Sequence, residues 1–388
     1  MQRQRQSLSV FSDVSSHSSN STSEPIESPL TSPKLKYRPP ASPDRVDIDK
    51  GALPLDSLVL VTGANGWLGM HVVDQLLRYG YRVRGTVRDL EKAVWTSKYF
   101  WDNYGPERYS VAVVPDMTPR GAFDAAIRGC AGVVHLASVM SWSSDPEEVI
   151  TPTLAGALNI LEAAAGEPEM LRFVYCSAAA AAATYQSGRV EEVTSESWNM
   201  ASFGEAWDLP PYGPERAWAV YCSSKVQTEQ AVWTWIDKAK ERPFTVNTIL
   251  PGTLWGRMLD PVNQGFRTSV GQLKGIFDGR AADATWAPPQ HFVDVQDAAA
   301  LHVAALALPD VQQQRIFAVS SPYTVNLVLQ MLRALYPGKI VSENARDQRI
   351  NATVFSEAPR AQVMLKRLGR DGWTDLMTSV TRNCQSFM

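Results

Sequence analysis

The sequence lacks the features that mark several common protein classes. Its four cysteines are scattered without a CxxC pair, which argues against a disulfide framework and favours a reducing compartment, the cytoplasm. Its five histidines show no metal-ligand spacing, and no apolar run approaches the roughly 20 residues that span a bilayer. Basic residues do not outnumber acidic ones, since the net charge is −3. We therefore expect no metal, no membrane partner and no nucleic acid partner.

The first 50 residues have almost no apolar periodicity and contain twelve serines and six prolines. Such a segment buries too little apolar surface to offset the entropy lost on ordering. We predict a disordered Ser/Pro-rich tail over residues 1–50. The rest of the chain has an ordinary globular balance of apolar and charged residues.

Order begins with a strand and a glycine-rich turn. The apolar run Leu58–Val61 precedes TGANGWLG, which leads into an amphipathic helical pattern ending at Gly80. Gly63 permits a tight turn, Gly66 lets a pyrophosphate approach the backbone, and Gly69 lets the helix pack close to the strand. Strand, turn and helix in this order predict a dinucleotide-binding unit. Its predicted cofactor-binding residues are Thr62, Gly63, Asn65, Gly66, Trp67, Leu68 and Gly69.

The spacing TGxxGxxG resembles that of the extended short-chain dehydrogenase/reductase family. Further apolar strand patterns at 81–87, 110–114 and 132–138 alternate with helical patterns, which predicts an α/β fold with a doubly wound parallel sheet of the Rossmann type. We expect an NADP-binding Rossmann domain with the catalytic helix over residues 56–250. Residues 251–388 are expected to form mostly a smaller C-terminal substrate lobe, with segments that return to the first domain.

The tip of the second predicted strand indicates which dinucleotide binds. An acidic side chain there would accept a hydrogen bond from the 2′-hydroxyl of NAD, but this strand ends in Arg88, with Lys92 one helical turn later. Two cations suit a 2′-phosphate, and Asp89 is expected to point elsewhere. We predict that the cofactor is NADP(H).

The resemblance implies further cofactor contacts. Asp116 and Met117 follow the third strand, where the adenine lies in this fold, so Asp116 would bind the adenine amine; an Asx turn is the alternative role. Ala137, in the HLAS that ends the fourth strand, would lie beside the cofactor. Pro251 begins the loop that wraps the nicotinamide end in the family.

Tyr221 and Lys225 form a YxxxK motif at the start of a long helical pattern, so both lie on one helix face. A phenol with a pKa of about 10 is a weak acid near neutral pH, and an ammonium one turn away would lower that pKa. We predict that Tyr221 donates a proton to a carbonyl oxygen as hydride arrives from the nicotinamide. Lys225 would also bind the nicotinamide ribose.

The segment WNMASFGEAWDLPPYGPERAWAVYCSSK resembles fungal NADPH-dependent aldehyde and ketone reductases, a group similar to dihydroflavonol reductases and yeast methylglyoxal reductase. The segments HFVDVQDAAALHVAALA and LKRLGRDGWTDL fit the same group. The resemblance implies NADPH-dependent reduction of a ketone or aldehyde to an alcohol, with monomer and dimer both open. Four aromatic residues are candidate pocket walls that favour an apolar or aromatic carbonyl substrate. They are Trp142, Phe203, Trp255 and Phe266.

The family usually carries a serine that polarises the carbonyl at the end of the fifth strand. In FVYCSAAAAAA the matching position falls on Ala178, one residue after Ser177. Because side chains alternate along a strand, either a local bulge brings Ser177 into the site or the carbonyl loses that hydrogen bond. Ser177 is therefore a candidate catalytic residue. The alanines after it are expected to form a loop that keeps the pocket open.

Two other functions stay open. One is an NADPH-binding sensor or scaffold with weak or no turnover, against which Tyr221 and Lys225 argue. The other is a hydroxysteroid dehydrogenase, epimerase or dehydratase of the extended family. The basic residues Arg88 and Lys92 and the segment before Tyr221 argue against that alternative.

Overall fold

A computed structural model describes residues 51–185, 190–239, 244–281, 288–346 and 349–388. The tail predicted over residues 1–50 lies outside these ranges. The described residues all belong to one compact unit, Tyr37–Met388. The division near residue 250 into a Rossmann domain and a substrate lobe stays a prediction.

The strands found in the described residues are short, and most of those in the first half of the chain follow the apolar patterns of the sequence. In chain order they are β1 (Leu58–Thr62), β2 (Arg82–Val87), β3 (Tyr109–Val113), β4 (Gly132–His135), β5 (Arg172–Cys176), β6 (Glu192–Val193), β7 (Thr245–Pro251), β8 (Thr253–Trp255), β9 (His291–Asp294), β10 (Arg315–Ala318), β11 (Ser321–Pro322) and β12 (Val354–Phe355).

Helices connect most of these strands. In chain order they are α1 (Trp67–Arg78), α2 (Leu90–Tyr104), α3 (Asp124–Ile127), α4 (Pro146–Ala165), α5 (Met200–Ala206), α6 (Ala217–Lys238), α7 (Pro261–Gln264), α8 (Thr268–Phe277), α9 (Val295–Ala307), α10 (Val325–Leu335), α11 (Ala358–Arg367) and α12 (Leu376–Gln385). Among the described residues, no helix is both long and apolar enough to cross a bilayer.

The central sheet has seven strands in the order β10-β7-β5-β4-β1-β2-β3. Every pair of neighbours is parallel, as the crossover helices require. The predicted doubly wound parallel sheet is confirmed. The strand order reverses between β1 and β4, and an open sheet of this kind binds ligands in the crevice beyond the strand ends at that point.

Helices cover both faces of the sheet, which explains why its strands are apolar on both sides. On one face, Leu76 of α1 and Leu301 of α9 share a buried cluster with Val61 of β1. On the other face, Leu161 of α4 and Val232 of α6 pack with other apolar residues in a second cluster. Strands β8, β9 and β11 form a separate small sheet, while β10 joins the central one.

Candidate active site

A cavity of 930 Å³ lies beyond the carboxyl ends of β1, β2, β4 and β5. It extends from the tip of β2, past the glycine turn after β1, to the first turns of α6. Most of the residues predicted to bind or react line its wall together. They are Gly63, Asn65, Gly66, Trp67, Leu68, Gly69, Arg88, Lys92, Asp116, Met117, Ala137, Ser177, Tyr221, Lys225 and Pro251.

Two positions of the glycine turn, Gly63 and Gly69, do not accommodate a side chain. Gly63 has a φ of +64°, which an L side chain rarely adopts, and its carbonyl oxygen accepts from the Gly66 amide at 2.9 Å. A methyl group at Gly69 would overlap that same carbonyl oxygen, so α1 packs this close to the turn only because the position is glycine. The first turn of α1 lines the cavity. Free amides and the positive end of a helix dipole there suit a phosphate, so the turn fits the predicted cofactor.

Thr62 does not reach the cavity wall, unlike the other residues of its motif that were predicted to bind the cofactor. Its hydroxyl oxygen accepts from the amides of Leu136 and Ala137, each at 3.0 Å, and its proton goes to His135 Nδ1 at 2.8 Å. Burial lowers the pKa of His135 to about 3, so that ring is neutral and able to accept. Thr62 therefore ties the tips of β1 and β4 together.

The basic residues at the β2 tip differ in their surroundings. Asp89 turns toward α2, where its carboxylate accepts from the Lys92 amide at 2.9 Å and also pairs with the Lys92 ammonium. The hydrogen bond from the Lys92 side chain is the main cause that lowers the pKa of Asp89. Arg88 is exposed at the cavity, and within the described chain it forms no salt bridge, although its charge also contributes to the lowered pKa of Asp89. Arg88 is therefore the more available cation for a 2′-phosphate.

Asp116 and Met117 both lie at the cavity wall below β3. Asp116 accepts from the Thr118 amide at 2.8 Å, which is the Asx-turn arrangement that the sequence left open. Met117 packs its side chain over Gly156 of α4, where a β-carbon would collide with its sulfur. The adenine contact of Asp116 stays a prediction.

Tyr221 and Lys225 meet the cavity from the first half of α6. The Lys225 ammonium donates to Ser138 Oγ at 3.2 Å and to the Cys176 carbonyl oxygen at 3.5 Å. Burial raises the pKa of Tyr221 above its ordinary value and lowers the pKa of Lys225. Desolvation is the largest cause of the raised pKa of Tyr221, and Lys225 is not among the groups that shift it, so a lowering of that pKa by Lys225 stays a prediction.

The Ser177 hydroxyl is not brought to the carbonyl position by a local bulge of β5. Its Oγ donates to Glu229 Oε2 at 2.8 Å, away from the carbonyl position expected from the sequence. Glu229 is fully buried and also accepts from Thr248 at 2.7 Å and from Arg315 at 2.9 Å. Of the two outcomes that the sequence left open, the structure has the one in which Ser177 is engaged elsewhere. The next residue, Ala178, lines the cavity with a methyl group.

The alanine run beyond Ser177 is not an open loop. Ala179–Ala181 forms a 3-10 turn, and the run is buried in a cluster with Cys222 and Val226 of α6. Asn199 holds the turn by donating its backbone amide to the Ala181 carbonyl oxygen at 2.9 Å. The expectation of an open loop is therefore corrected, because the run forms a buried turn beneath α6, whereas Ala178 and Ala180 still line the cavity.

Two tryptophans flank the Tyr221 ring. The ring centroids of Trp142 and Trp218 lie 5.0 Å and 5.6 Å from that of Tyr221, and both indoles line the cavity. Trp142 was a candidate wall from the sequence, whereas Trp218 was missed. Its position three residues before Tyr221 on the same helix face was the signal that could have revealed it.

The other three candidate walls lie elsewhere. Trp255 is fully buried and contacts Phe292 and Tyr323 with its ring, so it belongs to the core of the small sheet. Phe203 and Phe266 are partly exposed and do not line the cavity. Aromatic composition alone does not separate core from pocket, because both environments are apolar.

Gln264 also reaches the site and was missed from the sequence. Its Nε2 donates to the Gly66 carbonyl oxygen at 3.1 Å, and its Oε1 accepts from the Asp260 amide at 3.2 Å. This contact joins the segment around α7 to the glycine turn, 198 residues away along the chain. No local pattern could have indicated it. Within the described ranges, no cluster of three or more His, Cys, Asp and Glu residues could hold a metal ion.

Comparison with known proteins agrees with this geometry. The family model described as NAD dependent epimerase/dehydratase family matches residues 59–249. Aldehyde reductase 2 of Sporidiobolus salmonicolor is 40% identical over 336 residues, 86% of this chain and 96% of that protein. Ketoreductase nvfG of Aspergillus novofumigatus is 31% identical over 85% of this chain and 96% of that protein. The solved structure of Gre2 from Candida albicans in complex with NADPH superposes with a TM-score of 0.73 at 26% identity, covering 85% of this chain and 98% of that one.

Proposed function

The chain belongs to the NAD dependent epimerase/dehydratase family, and from that premise we propose that it reduces a ketone or aldehyde to an alcohol at the expense of NADPH. The observation that carries the proposal is the single cavity that joins the glycine turn and Arg88 to Tyr221 and Lys225. The similarity to an aldehyde reductase over nearly the whole of both chains supports the same activity.

The residues present suit NADPH along the length of the cavity. Arg88 and Lys92 would hold the 2′-phosphate, and the turn from Gly63 to Gly69 would hold the pyrophosphate. Lys225 would bind the nicotinamide ribose with its buried ammonium. When bound there, the reduced nicotinamide supplies the hydride that adds to the carbonyl carbon.

Tyr221 is the proposed proton donor. A phenol with its ordinary pKa of about 10 is protonated over the physiological range, so Tyr221 can give its proton to the carbonyl oxygen as that oxygen gains electrons. The rings of Trp142 and Trp218 flank the phenol at the cavity wall. The same two indoles favour a flat, apolar or aromatic carbonyl substrate.

Substitution of Tyr221 by phenylalanine tests the proposal. The full chain is mixed with NADPH and a panel that includes benzaldehyde and acetophenone, and NADPH consumption is followed by its absorbance. We expect Tyr221→Phe to lower kcat by about 10²–10⁴-fold, the usual contribution of a general acid, while the Kd for NADPH is unchanged. Tyr212→Phe is the matched control, since Tyr212 is exposed and outside the cavity wall. Full turnover in Tyr221→Phe would refute the proton-donor role.

An NADPH-binding protein with weak turnover is the second candidate, because the Ser177 hydroxyl is engaged by Glu229 and Ala178 offers no donor. Tight NADPH binding by the wild-type chain, without NADPH consumption across the panel, would favour it over the reductase. We further propose a cytoplasmic location, which is supported by four cysteines that are all free.

A further inference from the structure

The tip of β5 has no hydroxyl free for a carbonyl oxygen. Ser177 gives its proton to Glu229, and that carboxylate is fully buried opposite Arg315, so a swing of Ser177 toward the cavity would take a donor from a buried charge. Ala178 lines the cavity and has no side-chain polar atom. If this tip supplied the only donors, the negative charge that develops on a reduced carbonyl would meet the Tyr221 phenol alone.

The neighbouring strand provides a hydroxyl at the equivalent place. Strands β4 and β5 are parallel, with His135 paired to Tyr175, and Ser138 and Ala178 are each the third residue beyond that pair. Both residues line the cavity. Ser138 therefore lies at the same edge of the sheet as Ala178, one strand closer to the β1–β4 crevice.

The hydrogen bonding of Ser138 leaves its proton unused. Its Oγ accepts from the Lys225 ammonium at 3.2 Å, and a hydroxyl that accepts in this way still has one proton to donate. In the part of the chain that the structure describes, no acceptor is found for that proton. A hydroxyl that receives a hydrogen bond from a cation is also a stronger donor, because such bonds polarise one another.

We propose that Ser138 is a catalytic residue that donates a hydrogen bond to the substrate carbonyl oxygen, beside the proton donor Tyr221. The inference rests on the proposed reductase function and assigns the second donor of that site. Lys225 stabilises the developing negative charge through Ser138, in addition to its contact with the ribose. A preorganised donor of this kind typically contributes about 10²–10³-fold in kcat.

The first measurement compares kcat and the Kd for NADPH in four variants, with benzaldehyde and acetophenone as substrates. We expect Ser138→Ala to lower kcat about 10²-fold at unchanged NADPH affinity. Ser138→Thr keeps the hydroxyl and should retain most of the rate. The double variant Ser138→Ala/Ala178→Ser should have a kcat at least about tenfold higher than that of Ser138→Ala, because it places a hydroxyl at the end of the adjacent strand. Ser110→Ala, exposed on β3 and outside the cavity wall, is the matched control.

The second measurement needs no turnover. Acetophenone labelled with ¹³C at its carbonyl is bound to the chain loaded with NADP⁺, which cannot give hydride, and the carbonyl stretch is read by difference infrared spectroscopy. A donor to the oxygen lowers the stretching frequency, so Ser138→Ala should shift the bound band to higher frequency. Ser138→Thr should leave the band near its wild-type position.

Each outcome decides the matter. If the wild-type chain turns over and Ser138→Ala changes kcat by less than about threefold, the proposed role of Ser138 is wrong and the reductase function is unaffected. The same conclusion follows if Ser138→Ala weakens only the affinity for NADPH. A band shift that depends on Ser138, in a chain that consumes no NADPH, would support the carbonyl contact and reject the reductase. No turnover and no bound carbonyl band in the wild-type chain would overturn both.

Discussion

The turn after β1 and the turn after β5 both end a buried parallel strand at the same edge of the sheet, and both line the cavity. After β1, the Gly66 amide closes the turn on the Gly63 carbonyl oxygen, three residues away. After β5, Ser177 is held by Glu229, 52 residues along the chain.

The difference lies in the range of the forces that shape each turn. The steric limits at Gly63 and Gly69 involve residues within one turn of backbone, so the local sequence is sufficient to predict the conformation of this turn. At β5 the direction of Ser177 depends on a buried carboxylate of α6 and on Arg315 of β10, which only the folded chain brings together. The first turn can therefore be predicted from its residues, whereas the second cannot.

The largest expected effect comes from the long-range contact. Glu229→Gln leaves the buried Arg315 guanidinium without its counter-charge, although the carbonyl oxygens of Ser195 and Ser197 still accept from it. We expect a loss of about 3 kcal/mol in the free energy of unfolding, measured by urea denaturation. The control is Glu162→Gln, whose pair with Arg120 is exposed and should contribute less than about 1 kcal/mol. An equal loss in the free energy of unfolding in both variants would contradict this prediction, since the tip of β5 would then not depend on the buried network.

The next effect concerns the local turn. Gly69→Ala adds a methyl group against the Gly63 carbonyl oxygen, which must move away from the phosphate cradle. We expect the Kd for NADPH to rise about 10–100-fold, or about 1.4–2.7 kcal/mol, by fluorescence titration. Gly204→Ala in α5 is the control, because a β-carbon there meets open space. Unchanged affinity in Gly69→Ala would mean that the turn is not limited by sterics.

The smallest effect sharpens the choice of cofactor. Arg88→Ala should raise the Kd for NADPH about tenfold, or about 1.4 kcal/mol, and leave the Kd for NADH nearly unchanged, because only NADPH carries the 2′-phosphate. Lys92→Ala should have less effect, since the Lys92 ammonium is already paired with Asp89. A larger effect for Lys92 than for Arg88, in parallel titrations with both cofactors, would contradict the assignment.

The predictable features of this protein rest on short spacings. The parallel sheet follows from alternating strand and helix patterns, and the YxxxK spacing brings Tyr221 and Lys225 to the cavity because residues four apart share a helix face. The features that were missed are long-range ones. Ser138 contacts Lys225 across 87 residues and Gln264 contacts Gly66 across 198, and no local pattern indicates either contact.

The amino-acid sequence by itself indicated the doubly wound sheet and the place of the glycine turn, because periodicity and backbone sterics act over a few residues. The family was indicated by the resemblance of its motifs. Only the tertiary structure decided the hydrogen-bond partners at the β5 tip. It directed Ser177 to Glu229, packed the alanines beneath α6 and brought the Ser138 hydroxyl within hydrogen-bond distance of Lys225. The physical reason is that a buried charge must be paired, and its partners come from wherever the fold places them.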